Sequence, residues 1–521
     1  MQRAKILAVS GRDSAWRGGR QCGWRKGYKP LSRHLIFAPS AEGHATNSPL
    51  PARLQQAVLP AHTALLVIAR FRRKLQRQLQ DKSFEEVLRG AAVVFSSRIS
   101  ETFFTMATSI FVARVYGAEV VGALAAIRAV LEILTIFSLL GTDVGLLRLI
   151  PQHRKTSDRS AFLIYQKTIK LVAFASIALS IVLFFGAQAL ADALHKPHLG
   201  AFYALAAWFV LPKTVFKMNL EALRGMKLFG SVANQNVSLA ILNLGFLVLL
   251  TILLLDKYVP IQSYFLTMGL TGIISTYLAV QGFRKRVKKD QKVSPMSTKS
   301  ILKVSLPMFV TKSAFLILGH ADILMITYFM AESDVGFYQV AWKLVMFNKF
   351  FKNSITSTSA PKQAELFAEG KMDDLKRVAK KTTALLGYTI LPFMLLLIVF
   401  GKPLLSGLYG PEFMAGYTAF MWLCVAQIIT SLIGHVGMFM NMCGKQSVYM
   451  RMVIMSAVMN IVGNAILIPM IGITGAAISN VISVVFVHVI ASLYIKRTFG
   501  FTIMYWPIGD WFRRLRRSPK P

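Results

Sequence analysis

The sequence predicts an all-α integral membrane protein, with about twelve transmembrane helices in two pseudo-equivalent six-helix lobes around a central cavity. Three observations predict this class. Of the 521 residues, 54% are hydrophobic and only 16% are charged. Long apolar stretches recur along the chain, and its second half echoes its first. A water-soluble chain of this length carries more charge and shorter apolar runs, so the composition excludes an ordinary soluble protein.

The transmembrane helices are predicted from length and hydropathy. A hydrocarbon core of ~30 Å requires roughly 20 apolar residues in an α-helix. Twelve stretches meet this requirement, near 91–116, 120–147, 166–192, 199–222, 231–255, 260–282, 302–330, 335–357, 381–407, 414–441, 446–469 and 472–495.

The basic residues predict the orientation of these helices. The formal net charge is +37. Lysine and arginine concentrate in alternate loops, most densely at Arg284, Lys285, Arg286, Lys288, Lys289, Lys292, Lys299 and Lys303. The intervening loops carry little beyond Lys196, Lys257 and Lys402. Because basic loops remain cytoplasmic, both termini are predicted on that side. Anionic lipid headgroups account for the positive charge, so no nucleic-acid partner is expected.

The chain divides into five predicted parts. Residues 1–87 lack a 20-residue apolar run and contain few acids, which predicts a basic, disordered cytoplasmic tail. The N-terminal lobe covers 88–283 and the C-terminal lobe 302–498. A basic cytoplasmic linker, 284–301, joins them, and 499–521 form a second basic tail. The three cysteines form neither a disulfide framework nor a metal-binding motif, and we expect no metal and no cofactor.

An internal repeat relates the two predicted lobes. Short motifs recur in the same order about 210–219 residues apart, pairing Gly122 with Gly336, Pro151 with Pro361, Gly186 with Gly401, Gly225 with Gly444 and Asn243 with Asn460. Six helices per half give both halves the same orientation. Two such bundles that flank a cavity at mid-membrane depth are typical of transporters.

Three segments carry a family resemblance. Residues 319–344 (GHADILMITYFMAESDVGFYQVAWKL), 360–392, and 442–450 with 460–483 resemble the polysaccharide transporters of the multidrug/oligosaccharidyl-lipid/polysaccharide exporter superfamily. The resemblance extends over about 88–500. The family includes O-antigen and exopolysaccharide flippases. Residues 1–87 lie outside the resemblance.

The resemblance implies a flippase and not an enzyme. Such a protein moves an oligosaccharide on undecaprenyl pyrophosphate from the inner to the outer leaflet of the cell inner membrane by alternating access. Its partners are this substrate, membrane lipids and other polysaccharide-assembly proteins. Three alternatives remain open: a multidrug exporter, a peptidoglycan-precursor exporter and a membrane-embedded polysaccharide polymerase. No ATP-binding P-loop motif and no catalytic constellation is recognisable in the sequence.

Charged residues inside the predicted helices indicate the site, because each costs roughly 2.5–3.5 kcal/mol on insertion scales and is usually functional. Five cations are predicted to face a shared cavity and bind pyrophosphate: Arg98, Arg128, Lys213, Lys312 and Lys343. Three acids are candidates for ion coupling or charge pairing: Glu101, Glu132 and Asp322. As an alternative, Arg98 pairs with Glu101 and Arg128 with Glu132. Asp143 and Arg148 are candidates for a gate on the cytoplasmic side.

Overall fold

The computed structural model describes residues 82–154, 157–287 and 296–505, and every regular element in these ranges is a helix. The predicted tail through residue 81 lies outside them, as do 506–521. The first helix begins at Lys82, inside the range predicted as tail. The strong helix formers of Lys-Ser-Phe-Glu-Glu-Val-Leu-Arg favour this extension.

The N-terminal lobe contains six helices: α1 (Lys82–Leu139), α2 (Thr142–Arg154), α3 (Asp158–Ala193), α4 (Gly200–Gly225), α5 (Phe229–Leu254) and α6 (Val259–Arg284). Helix α1 includes two membrane passes joined at Gly117, where φ is 77° and ψ is 178°. A side chain strongly disfavours this conformation, so glycine permits the reversal. Thr105 and Arg128 lie on opposite sides of Gly117 and line one cavity, which shows that the two passes run back to back.

The C-terminal lobe contains eight helices: α7 (Thr298–Phe329), α8 (Glu332–Val345), α9 (Lys349–Ala368), α10 (Met372–Leu404), α11 (Tyr417–Ile433), α12 (Val436–Met442), α13 (Gln446–Ile471) and α14 (Ile473–Phe499). A 3₁₀ turn, Met346–Asn348, continues α8 into α9 as one pass. A break at Gly434, where φ is 98°, divides the pass formed by α11 and α12. Residues 501–505 fold back on this lobe: Phe501 and Ile503 are buried, and the Tyr505 N–H donates to the Leu432 carbonyl at 3.0 Å.

The predicted transmembrane fold is confirmed. Within the described ranges, nine helical stretches are long and apolar enough to cross a membrane, and the first of them, Ser96–Leu139, includes both passes of α1. The two remaining passes are α7 and the α8–α9 pair, which brings the total for these ranges to twelve. These two passes carry polar groups such as Asp322 and Lys343, which lie inside the protein instead of facing lipid.

The two ends of the bundle differ, and we name them by their residues. The kink end contains Gly117, the turn 194–199, residues 255–258 and 330–331, and the segment 405–416. The basic end contains Arg154, Ser157 and residues 226–228, 285–287, 296–297, 369–371 and 443–445.

The lobes meet mainly through α1 and α2 on one side and α7 and α8 on the other. At the kink end the repeat-related glycines Gly122 and Gly336 lie at this interface. A Cβ atom on Gly122 would overlap the carbonyl oxygen of Glu332, and one on Gly336 would overlap that of Ala118. At the basic end, Gly141 and Gly145 of the first lobe lie against Ser305 of α7. Small residues therefore set the close approach at both ends.

Candidate functional site

Two adjoining cavities lie in the protein at the meeting of the lobes. The larger cavity, of about 400 Å³, is lined by α1, α4, α5 and α6, and by Gln339 and Lys343 of α8. The smaller cavity, of about 180 Å³, lies between α1, α7 and α8. Both are lined by Arg128, Glu132 and Gln339, so the two spaces adjoin at these side chains.

The larger cavity has an excess of positive charge. Four of its lining side chains are basic and two are acidic: Arg128, Lys213, Lys217 and Lys343 against Glu101 and Glu132. When all are ionised, two positive charges remain without a compensating carboxylate. A cation away from water is costly unless an anion or a wet cavity stabilises it.

Glu132 pairs with two lysines of α4. Its carboxylate lies 2.9 Å from Lys213 Nζ and makes a second ion pair with Lys217. Lys213 Nζ also donates to the Tyr264 hydroxyl at 2.8 Å. The alternative that pairs Arg128 with Glu132 is therefore wrong. Lys213 and Lys217 lie one turn apart on the face of α4 that packs against α1, and they reach the carboxylate first.

Arg128 has no salt-bridge partner among the described residues. Its guanidinium carbon lies 4.4 Å from the centre of the Tyr264 ring, and its Nε is buried without a hydrogen-bond partner. Lys343 also forms no ion pair with any side chain that the structure describes. The aromatic ring stabilises and orients Arg128 but does not neutralise it. Two cations at the cavity wall are thus available to an anionic ligand.

Arg98 and Lys312 do not contribute to the lining of these two cavities. Arg98 has 53% of its side chain exposed and lies 3.7 Å from Glu101, as the pairing alternative predicts. Lys312 forms an ion pair with Asp143 of α2 across the lobe interface. Arg148, the predicted partner of Asp143, is exposed instead. Hydropathy indicates the depth of a charge, but only the packing of α7 on α2 decides which face of the helix it occupies.

Asp322 is buried and accepts four hydrogen bonds from neutral donors. Tyr338 donates through its hydroxyl at 2.7 Å, and three asparagines donate through their amides: Asn460 at 2.9 Å, Asn464 at 2.8 Å and Asn480 at 2.9 Å. Helices α7, α8, α13 and α14 thus meet at one carboxylate. No group of three or more His, Cys, Asp or Glu side chains suited to a metal ion occurs in the described part of the chain.

Several residues of the site were not singled out from the sequence. Tyr264 and Gln339 have no charge, so an inventory of intramembrane charges omits them. Asn460 and Asn464, four residues apart in an otherwise apolar helix, do carry a signal, because polar side chains one turn apart in a membrane pass face protein or water instead of lipid.

The fold and the site define a class of protein: a two-lobed membrane transporter with a cationic cavity between its lobes. A family model described as "Polysaccharide biosynthesis protein" matches residues 87–367, more than half of the chain, and the chain belongs to this family. The MatE model matches residues 307–466. The predicted membership of the polysaccharide transporter branch of the superfamily is confirmed.

Relatives of similar length agree with this assignment. The chain is 23% identical over 401 residues to the "Probable low-salt glycan biosynthesis flippase Agl15" of Haloferax volcanii, covering 77% of this chain and 81% of the relative. It is 24% identical over 173 residues to the "Probable flippase AglR" of the same organism, covering 33% of this chain and 36% of the relative.

Solved structures show the same fold. An inward-facing multidrug resistance MATE family transporter of the MOP superfamily superposes with a TM-score of 0.65 at 16% identity, covering 77% of this chain and 94% of that one. The lipid II flippase MurJ in an inward closed conformation gives 0.64 at 13% identity, covering 83% and 94%. At these identities the likeness shows the fold alone.

Proposed function

We propose that this protein flips a lipid-linked oligosaccharide, carried on undecaprenyl pyrophosphate, from the inner to the outer leaflet of the cell inner membrane for polysaccharide biosynthesis. The observation that carries the proposal is the uncompensated charge of the larger cavity. A pyrophosphate that links a lipid to a sugar has about two negative charges, and the cavity has an excess of two positive ones.

The chemistry of the cargo explains why a protein is needed. Each unsatisfied polar group costs several kcal/mol in hydrocarbon, so neither the pyrophosphate nor the glycan crosses unaided. A cavity lined with water-accessible cations supplies the missing partners. Since a potential of 100 mV is worth ~2.3 kcal/mol per charge, moving two negative charges outward gains ~4–5 kcal/mol.

We assign the basic end, and with it both termini, to the cytoplasm. The expected glycans are O-antigen and exopolysaccharide. The support is the asymmetry of lysine and arginine between the two ends. In alternating access the lobes separate at one end at a time. Asp143 and Lys312 then form part of a gate at the basic end, with the exposed Arg148 about one and a half helical turns further along α2.

The cavity charge also bears on the rival exporters. A site for cationic drugs requires acidic walls, and here the basic groups exceed the acidic ones, which counts against a multidrug exporter. A peptidoglycan precursor offers the same pyrophosphate, so only the recognition of its sugar separates that substrate from a polysaccharide precursor.

We further propose that Asp322 couples transport to a monovalent cation or a proton. Asparagine amides present either nitrogen or oxygen after a half-turn of the side chain. Rotation of Asn460, Asn464 and Asn480 would surround the Asp322 carboxylate with oxygen ligands suited to a hard cation. Protonation of Asp322 would break up the same cluster in another way. Glu101 and Glu132 face the cavity and remain secondary candidates.

The test of the proposed function is Arg128. Arg128→Ala should reduce flipping of lipid-linked sugar in proteoliposomes at least tenfold, since a charge-assisted hydrogen bond contributes ~1.5–3 kcal/mol. Arg128→Lys should retain part of the activity, because it keeps the charge but not the planar fork.

A stability measurement separates binding from folding. Because Arg128 forms no ion pair, its removal leaves no carboxylate without a partner. Arg128→Ala should therefore leave the melting temperature unchanged. Glu132→Gln is the matched control: it leaves Lys213 buried without its partner and should lower the melting temperature. Wild-type flipping by Arg128→Ala would refute the binding role.

A further inference from the structure

The smaller cavity lacks the positive excess of the larger one, because Arg128 is balanced by Asp322 and the charge of Glu132 is compensated by Lys213 and Lys217. Its walls contain one fixed cation, Arg128, and two carboxylates, Glu132 and Asp322. An anion that fits the larger cavity is therefore disfavoured here. The space, at about 180 Å³, suits a single ring rather than an oligosaccharide or a lipid chain.

An aromatic pair supplies one wall of this cavity. The rings of Tyr338 and Trp342 are 6.5 Å apart and nearly parallel, with an interplanar angle of 13°. Tyr338 is buried and bound through its hydroxyl to Asp322, so it fixes the orientation of the half-buried Trp342. A flat, pre-positioned indole offers an apolar face and one N–H donor, which matches the C–H face and the hydroxyl groups of a sugar.

Free polar groups complete the wall. His320 and Gln339 form no hydrogen bond with any other residue that the structure describes, and both line the smaller cavity. An imidazole and an amide together donate and accept, as neutral hydroxyl groups require. Gln339 and Arg128 also line the larger cavity, so a ligand can occupy both spaces through one short linkage.

We propose that the smaller cavity is a glycan subsite that binds the sugar unit attached directly to the pyrophosphate, with Trp342 as its stacking platform and Gln339 and His320 as its hydroxyl partners. This inference rests on the proposed function and deepens it. The phosphates and the sugar are sorted by charge: the anion enters the cavity with excess positive charge, and the neutral ring enters the cavity without such an excess. Residues of the smaller cavity thereby select the first sugar.

The experiment compares matched soluble ligands. Farnesyl pyrophosphate whose terminal phosphate carries a methyl group (the bare lipid) or one glucose, galactose or N-acetylglucosamine is titrated into purified full-length protein in nanodiscs. We expect at least one glycosylated form to bind about tenfold more tightly than the bare lipid, a factor that corresponds to ~1.4 kcal/mol. Trp342→Ala should remove this gain and leave the affinity for the bare lipid unchanged.

Three variants keep the outcome interpretable. Trp342→Phe retains a ring and should recover part of the gain, which guards against misfolding as an explanation. Trp208→Ala removes a lipid-facing tryptophan, 71% exposed, and should bind every ligand as the wild type does. Arg128→Ala should weaken all four ligands by a similar factor.

The two proposals fail differently. Should no glycosylated lipid bind more tightly than the bare one, or should Trp342→Ala keep the full gain, the subsite is refuted while pyrophosphate binding stands. If neither the bare nor the glycosylated lipids bind the wild type, the proposed function itself is refuted.

Discussion

At the residue scale, Asp322 differs from the other intramembrane acids because its partners are all neutral. Glu132 is matched by Lys213 and Lys217, so its charge is compensated within the protein. Asp322 is held by one hydroxyl and three amides, which lower the cost of its charge but do not cancel it. This arrangement supports the proposed coupling role, because a cation or a proton would compensate the remaining charge at a point where four helices meet.

Asp322→Asn tests this role. We expect the variant to flip lipid-linked sugar at a rate that no longer changes with an imposed sodium or proton gradient, because the amide neither titrates nor attracts a cation. Gradient-dependent flipping in proteoliposomes measures the effect. Asp192→Asn, an exposed acid near the kink end, is the control and should respond as the wild type does. An unaltered gradient response in Asp322→Asn would contradict a coupling role.

At the scale of elements, the contact of α1 with α8 determines how closely the lobes approach at the kink end. Gly122 and Gly336 each lie against a backbone carbonyl of the opposite lobe. Because backbone atoms cannot rotate away as side chains do, a methyl group at either position must push the two helices apart.

Gly122→Ala or Gly336→Ala should shift the conformational equilibrium toward separation at the kink end by about tenfold, from a strain of ~1–3 kcal/mol. Distances between spin labels on the two lobes report the shift. Gly245→Ala, in a helix position with no neighbour within 4 Å, should leave the distances unchanged. If the kink end stays closed in both Gly122→Ala and Gly336→Ala, the helices accommodate the methyl group without separating and the prediction is wrong.

At the scale of the whole molecule, polar contacts hold the lobes together at the kink end. His198 Nε2 lies 2.7 Å from the Glu332 carboxylate, and Arg114 Nε donates to the Leu408 carbonyl at 3.0 Å. Glu412 accepts from the Ala118 N–H at 3.0 Å. Burial raises the pKa of Glu332, although the neighbouring His198 lowers it. Opening this end exposes Glu332 to water and removes the effect of burial.

His198→Ala should therefore make closure at the kink end more strongly pH-dependent, because it removes the neighbour that lowers the pKa of Glu332. The closed state, in which the pKa of Glu332 is raised, binds the proton more tightly than the open state. Closure is favoured at low pH, and this stabilisation is lost as the pH rises through the raised pKa. Labelling of Val121→Cys by an impermeant maleimide, in a chain without native cysteines, should then increase with pH more steeply than in a variant that lacks the Glu332 carboxyl group.

His198→Ala/Glu332→Gln is the control. Its labelling should rise with pH only as the thiolate fraction of the cysteine rises, because residue 332 no longer titrates. The same pH dependence in His198→Ala and in this control would refute the role of Glu332.

The same reagent tests the orientation: Lys285→Cys at the basic end should stay unlabelled in intact cells and react after permeabilisation.

The sequence by itself determined the class of fold, the number of passes and the family. Hydropathy over about twenty residues decides whether a helix enters the membrane, and this property is local. The repeat that pairs Gly122 with Gly336 also predicted two lobes, and both glycines lie at the lobe interface. Arg128, Lys213 and Lys343 were expected at a cavity, and all three line one.

Only the tertiary structure decided the partners of these charges. Glu132 is four residues from Arg128 in the chain, yet it pairs with lysines of α4, and Asp143 pairs with Lys312 of the other lobe. Spacing along one helix specifies which side chains share a face, but the neighbouring helix decides what that face meets. A long basic side chain reaches across several ångströms to a carboxylate, so its partner depends on helix rotation and separation, which no local pattern encodes.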